Sequence, residues 1–200
     1  MLKSILTVAI SFLAFNSPYD DQAGYKPGDN ASDFRLKSVD GKMVSMADFP
    51  QAKGFIIIFT TNTCPYCKLY EERIIELNNK FSPLGYPLIA INPNNPLKSP
   101  GDSFEKMKQR SQEKKFPFPY LSDENQRTAA EFGVTRTPHA VVVHKMAGKY
   151  KVVYAGAIDN NFKDKALAQE KYVENAVNLL LAGKEVEIKT TKTVGCNIYK

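Results

Sequence analysis

Hydrophobic and polar positions along the chain fall into blocks whose lengths and periods predict strands and helices in alternation. Asp33 to Lys37 and Lys42 to Met46 are short alternating runs around Ser38-Val39-Asp40-Gly41, and the Asp-Gly pair predicts a β-hairpin. Phe55-Ile56-Ile57-Ile58-Phe59 is continuously apolar between Gly54 and a Thr/Asn cluster, the pattern of a strand covered on both faces. Tyr70, Ile74, Leu77 and Phe81 then recur at helical spacing, giving an amphipathic helix with Pro65 in its first turn. A second apolar run, Pro87 to Ile91, follows directly. Strand, helix and strand in that order make a right-handed parallel unit, and ligands of such sheets bind beyond the carboxyl ends of the strands. Cys64 and Cys67 fall there.

The remaining blocks extend the same α/β plan. Asn92 to Gly101 carries too many Pro and Asn for regular structure and predicts a loop, with a helix starting near Asp102 or Ser103 and Glu105 placed for a capping box. Lys106, Lys108, Arg110, Lys114 and Lys115 surround a thin apolar line on that helix and read as a solvated face. A short helix around Asn125 to Phe132 ends at Gly133. Ala140 to His144 and Tyr150 to Ala155, joined through Ala147-Gly148-Lys149, predict an antiparallel pair. Leu167, Val173, Val177 and Leu180 mark a last long helix that stops at Gly183. The fold class is therefore α/β, with a central mixed sheet flanked by helices and an N-terminal β-hairpin.

Composition narrows the function classes. Among 200 residues, 43% are hydrophobic and 24% charged, which excludes a disordered, collagenous or disulfide-packed miniprotein and leaves one ordinary globular domain. A chain this long buries about two-thirds of its unfolded surface, so its core needs no metal or disulfide staple. The 27 basic and 21 acidic residues give a formal charge of +6 without a concentrated patch, and no nucleic-acid partner is expected. Lys3 precedes an apolar run from Ile5 to Phe15, too short to span a bilayer but right for an export leader. The expected organisation is a leader over residues 1–23, a domain over 24–187 and a C-terminal tail over 188–200. No later segment predicts a membrane span, and export places the domain in an oxidising compartment.

Chemistry concentrates in Thr63-Cys64-Pro65-Tyr66-Cys67. A Cys-x-x-Cys pair in the first turn of a helix sets the first sulfur against unpaired backbone N–H groups and the positive end of the helix dipole, both of which favour the thiolate. Cys64 is the expected attacker. Cys67, one turn along and less exposed, is placed to resolve the mixed disulfide and close a local Cys64–Cys67 bond. A zinc site would have to recruit Cys196, His139 and His144, whose spacings match no finger or ribbon, so no metal is expected. A purely structural Cys64–Cys67 bridge would close so small a loop that it would stabilise little.

From about Tyr25 to Glu187 the chain resembles the thioredoxin-fold family, specifically the exported bacterial thiol-disulfide oxidoreductases related to the peroxiredoxins, or redoxins. Two separated motifs carry the resemblance. Cys64-Pro65-Tyr66-Cys67 matches the glutaredoxin dithiol, and Thr135-Arg136-Thr137-Pro138 is similar to the family's cis-proline loop. The resemblance implies a thioredoxin-like fold, catalytic Cys64 and Cys67, and a substrate-binding role for Thr137, Pro138, Pro65 and Tyr66. It implies protein or small-molecule thiols and disulfides as partners, an electron donor or acceptor not identifiable from sequence, a part in cell redox homeostasis, and no bound cofactor. The chain departs from thioredoxins in carrying Thr63 before the first cysteine and Ile58 where a buried acid is usual, so the proton acceptor for Cys67 is unassigned.

Peroxiredoxins offer the competing resemblance. Thr61 and Cys64 match part of their Pro-x-x-x-Thr-x-x-Cys motif and Arg136 stands where their arginine would, giving a possible peroxide pocket and an antioxidant peroxidase as the alternative activity. Ile57 replaces the motif's proline, and Pro138 belongs to the thioredoxin pattern, which gives disulfide exchange precedence over the peroxidase. A redox-inert module binding through the proline loop is the third alternative. Cys196, in Thr193-Val194-Gly195-Cys196-Asn197, is read as an unreacted tail thiol, although the tail is long enough to approach the active site or another chain.

Overall fold

The computed structural model describes residues 24–199. The expected export leader therefore lies outside the described residues. In chain order these residues form β1 (Asn30–Ala31), β2 (Leu36–Ser38), β3 (Met43–Val44), β4 (Gly54–Phe59), α1 (Pro65–Phe81), β5 (Leu88–Asn92) and α2 (Phe104–Lys114). They continue with β6 (Tyr120–Ser122), α3 (Arg127–Glu131), β7 (Arg136–Thr137), β8 (His139–Met146), β9 (Lys149–Gly156), α4 (Tyr172–Leu181) and β10 (Cys196–Asn197). Eight strands make one mixed sheet in the order β1-β9-β8-β4-β5-β6-β2-β3, while β10 and β7 form a separate two-stranded ribbon.

The apolar run at β4 becomes the sheet's centre because all six of its residues are buried, parallel to β5 and antiparallel to β8. Its alternation divides the core in two. Ile56 and Ile58 pack with Tyr70, Ile74, Leu77 and Phe81 of α1 and Val173 and Val177 of α4. Phe55, Ile57 and Phe59 face the opposite layer, with Phe34, Met46, Ala129 and Phe132. The helix stripe read from sequence is thus wholly inward-facing. The β2–β3 hairpin forms as expected and extends the sheet past β6. Between β8 and β9 the turn is only Ala147-Gly148, both with positive φ (47° and 77°), as a right-twisted two-residue hairpin requires.

Two expected details change. The last helix begins at Tyr172, not near Leu167, because Asn160 and Glu170 bond backbone to backbone (3.0 Å) and side chain to backbone (3.2 Å), holding the intervening chain in a loop. The Asp102–Glu105 capping box does not form. Ser103 stands at the N-cap position of α2 without a side-chain hydrogen bond to the helix, and Asp102 is buried and bonded to Asn62 and Thr63 of the loop after β4.

A buried ion pair ties α1 to the chain after β9. Arg73 Nη1 lies 2.6 Å from Asp159 Oδ2, Tyr70 donates to Asp159 Oδ1 at 2.8 Å, and the guanidinium also donates to the carbonyls of Asn161 and Phe162. Removing one partner of such a pair leaves an uncompensated buried charge. Asp159→Ala is expected to cost about 3 kcal/mol, and the paired change Arg73→Met with Asp159→Leu less than half of that, as read from thermal melts.

Candidate active site

The site is mounted on the carboxyl end of β4. After Phe59 the chain passes through Thr60-Thr61-Asn62-Thr63 and enters α1, with Cys64 as the extended residue at the helix start (φ −70°, ψ 121°) and Pro65 in its first turn. Pro65 suits that position because its missing N–H has no partner there in any case. Cys64 Sγ sits where the helix N–H groups and dipole stabilise negative sulfur. Cys67 lies inside the first turn, 1% exposed. Burial pushes its thiol upward from the usual cysteine range, and hydrogen bonds from the Thr60 and Thr137 hydroxyls and from Thr61 only partly oppose this.

Facing the helix start is the loop at β7. The Thr137–Pro138 peptide is cis, and the Thr137 carbonyl oxygen lies 3.4 Å from Cys64 Sγ. Thr61 joins the two halves. Its N–H donates to Cys67 Sγ (3.4 Å), and its hydroxyl is 3.8 Å from that sulfur and 3.5 Å from the Thr137 hydroxyl. The structure therefore brings together Cys64, Cys67, Thr61, Thr137 and Pro138. Tyr66 reaches sideways to Phe162, ring centroids 5.0 Å apart, and Pro65 is exposed. Arg136 is exposed, and Thr61 addresses Cys67, so these two do not converge on Cys64 as a peroxide pocket would need.

The expectation of an unreacted Cys196 is corrected. Cys196 forms a disulfide with Cys64, Cα atoms 5.9 Å apart, and Cys67 is the free thiol. The oxidised pair is thus not the local one expected between Cys64 and Cys67. Also contrary to expectation, Cys64 is buried, only 3% exposed, beneath this tail. The physical reason is strand pairing: β10 lies antiparallel on β7, with Cys196 opposite Thr137 and Asn197 opposite Arg136, which delivers a sulfur 132 residues distant to the helix start.

Asp102 is the site residue that sequence reasoning missed. Its carboxylate accepts from the Asn62 N–H (2.6 Å), the Thr63 hydroxyl (2.6 Å), the Ser99 hydroxyl (2.6 Å), and the Asn92 and Asn94 amides (3.0 and 2.9 Å). Burial alone would raise its pKa, but the hydrogen bonds from Ser99, Thr63, Asn94 and Asn92 outweigh it and hold the carboxyl below its ordinary value. The ionised side chain so fixes the loop that presents Cys64. The available signal was the cluster Asn92, Asn94, Ser99 and Asp102, polar groups too dense for an ordinary loop.

The two histidines have separate partners: His144 Nδ1 meets the Tyr86 hydroxyl and His139 Nδ1 meets Thr193 Oγ1 of the tail, both at 2.8 Å. Burial lowers the His139 pKa to about 4. A histidine that is neutral when folded, yet titrates near 6.5 when unfolded, gives the unfolded chain more protons between those values. Stability is therefore expected to fall as pH drops from 6.5 toward 4, by at most about 3 kcal/mol and less because the ring is only partly enclosed. His139→Gln should flatten that slope in melts taken across the range.

A profile of the AhpC/TSA family matches residues 27–157. The chain belongs to the AhpC/TSA family. Its fold is thioredoxin-like. Over 92 residues it is 29% identical to "Thiol-disulfide oxidoreductase ResA" of Oceanobacillus iheyensis, a match covering 44% of this chain and 47% of that one, so it spans about half of that relative. It is 25% identical over 159 residues to "Peroxiredoxin Q, chloroplastic" of Sedum lineare, covering 76% of each. Among solved structures, an uncharacterized conserved protein from Geobacillus kaustophilus superposes with a TM-score of 0.79 at 31% identity, covering 87% of this chain and 92% of that chain. Peroxidoxin BcpB from Mycobacterium tuberculosis shares the fold, with a TM-score of 0.59 at 19% identity and coverage of 78% and 97%. Among the described residues no helix is long and apolar enough to cross a membrane.

Proposed function

We propose that this AhpC/TSA-family protein catalyses thiol-disulfide exchange through Cys64 and Cys67, on protein or small-molecule disulfides, in the bacterial cell envelope. The observation carrying this reading is the position of Cys64 Sγ, at a helix start and 3.4 Å from the backbone carbonyl of Thr137 beside Pro138. In the reduced protein the Cys64 thiolate attacks one sulfur of a substrate disulfide, forming a mixed disulfide and expelling the other sulfur as thiolate. Thr137, next to Pro138, offers backbone groups to an extended substrate, and Pro65 and Tyr66 border its approach. Cys67, after losing its proton, attacks Cys64 Sγ; the Cys64–Cys67 bond forms, the substrate leaves as thiol, and an external dithiol then restores the reduced pair.

Disulfide exchange is favoured over peroxide reduction because Thr61 turns its donors to Cys67 while Arg136 points into solvent. The envelope location rests on the leader pattern of the first 23 residues. With dithiothreitol as donor, the wild-type protein should reduce insulin disulfides and leave hydrogen peroxide consumption at the solvent background. Rapid peroxide consumption with silent insulin reduction would replace this reading by the peroxidase, and silence in both assays would leave the binding module.

A further inference from the structure

We propose that Cys196 is a third redox-active cysteine of this site and that residues 193–199 are a tethered substrate, an inference that rests on the exchange reading and names its substrate class. The tail is added to the β7 edge as an incoming polypeptide would be, antiparallel and with its sulfur opposite Thr137. The fit extends beyond the bond between sulfurs. At Gly195 a Cβ would fall on the Thr137 carbonyl, with the Pro138 ring close behind, so the backbone approaches the loop only because that residue has no side chain. On either side the tail is held by Thr193 against His139, by the Ile198 N–H to the Thr135 carbonyl (3.2 Å) and by the Tyr199 N–H to Asn94 Oδ1 (3.0 Å).

These attachments are largely hydrogen bonds along an exposed ribbon. Val194 is 47% and Tyr199 53% exposed, and Ile198 is half-buried against the core layer of Phe34 and Phe132, so the tail rests mostly on the surface and meets the core through one side chain. Such a segment leaves without dismantling the domain. It must leave, because Cys64 is covered while the tail is seated.

The exchange balances without any outside oxidant. Cys67, having given its proton to solvent, attacks Cys64 Sγ; the bond between Cys64 and Cys67 forms as that between Cys64 and Cys196 breaks. The electron pair goes to Cys196 Sγ, which takes up a proton from solvent, so the count of disulfides and of thiols is unchanged. Reversal recaptures the tail. The external substrate that competes for this edge is an extended polypeptide with glycine immediately before its cysteine.

The test uses the full chain. The oxidised wild type is alkylated, digested and mapped by mass spectrometry; both the Cys64–Cys196 and Cys64–Cys67 linkages are expected, and only the first in Cys67→Ser. Next, the peptide Thr-Val-Gly-Cys-Asn-Ile-Tyr, activated as a mixed disulfide, is offered to reduced Cys67→Ser/Cys196→Ser, with Cys67→Ser/Cys196→Ala as a second variant and circular dichroism verifying that each is folded. Capture on Cys64 is expected to be about tenfold faster than for the same peptide with alanine for glycine, the discrimination of roughly 1.4 kcal/mol expected from a close-packed contact. A wild type carrying only one of the two linkages, or equal capture of both peptides, overturns the inference. Insulin reduction separates the two levels: if wild type and Cys196→Ser both lack it, the exchange reading fails, whereas activity with equal peptide capture sinks only the tethered substrate.

Discussion

Cys64→Ser is expected to lower insulin-disulfide reduction by on the order of 10³-fold or more, because it removes the group that forms the covalent intermediate. In dithiothreitol, where the Cys64–Cys196 bond is open in both proteins, its melting curve should stay close to that of wild type. The double variant Cys67→Ser/Cys196→Ser, which lacks both cysteines able to attack Cys64, is expected to behave differently: the first attack survives, turnover stops, and mixed disulfides on Cys64 accumulate, visible as mass adducts that dithiothreitol removes. The two variants thus separate attack from resolution. Burial raises the Cys67 pKa, so its thiolate is scarce at neutral pH, and the rate of the resolving step in wild type should rise about tenfold per pH unit through the neutral range. A resolving rate independent of pH would mean that a base, or a change of environment, deprotonates Cys67 before it attacks.

Asp102→Ala is expected to destabilise the protein by about 4 kcal/mol, since it leaves five donors facing a cavity in place of a carboxylate. A fall in melting temperature of about 8–16 °C would follow for a domain of this size. Asp102→Asn, which keeps the shape and two of the acceptor positions, should lose about half as much. The pH dependence has a definite sign. Because the folded pKa lies below the unfolded value, the contribution is complete above the unfolded pKa near 3.9 and disappears as pH falls through the lower folded value. The acid limb of wild-type stability should therefore be steeper than that of Asp102→Asn. Activity should drop with Asp102→Ala even at temperatures where the variant is folded, because Asn62 and Thr63 then cease to fix the approach to Cys64.

The sheet and its helices were legible because their signals are periodic and strong. Gly54 to Phe59 admits no polar residue, and the spacing of Tyr70, Ile74, Leu77 and Phe81 fits only one helical face. Half of the site was equally plain, since Cys64 and Cys67 stand at a helix start following a buried strand, and Thr137-Pro138 lies just before another. The partner of Cys64 was not. Cys196 reaches it through a two-residue pairing with Arg136 and Thr137, too short to leave a pattern of alternation, and its determining residue is a glycine that reads equally well as an ordinary loop residue. Asp102 was misread for a related reason: an acid ahead of a helix signals a cap locally, and only the tertiary fold reveals that Asn62 and Thr63, some forty residues earlier, claim its oxygens.

The two sulfurs of the observed disulfide are carried by parts of very different rigidity. Cys64 stands on α1 directly beyond β4, a strand bonded on both edges within the sheet's centre, while Cys196 stands on a ribbon of two residue pairs. Backbone amides of β4 should exchange with deuterium only through global opening, and those of β10 by local fraying once the disulfide is reduced. Reduction would then loosen one margin of the domain while its interior stays closed to solvent, so mild denaturant should detach the tail well before the sheet gives way.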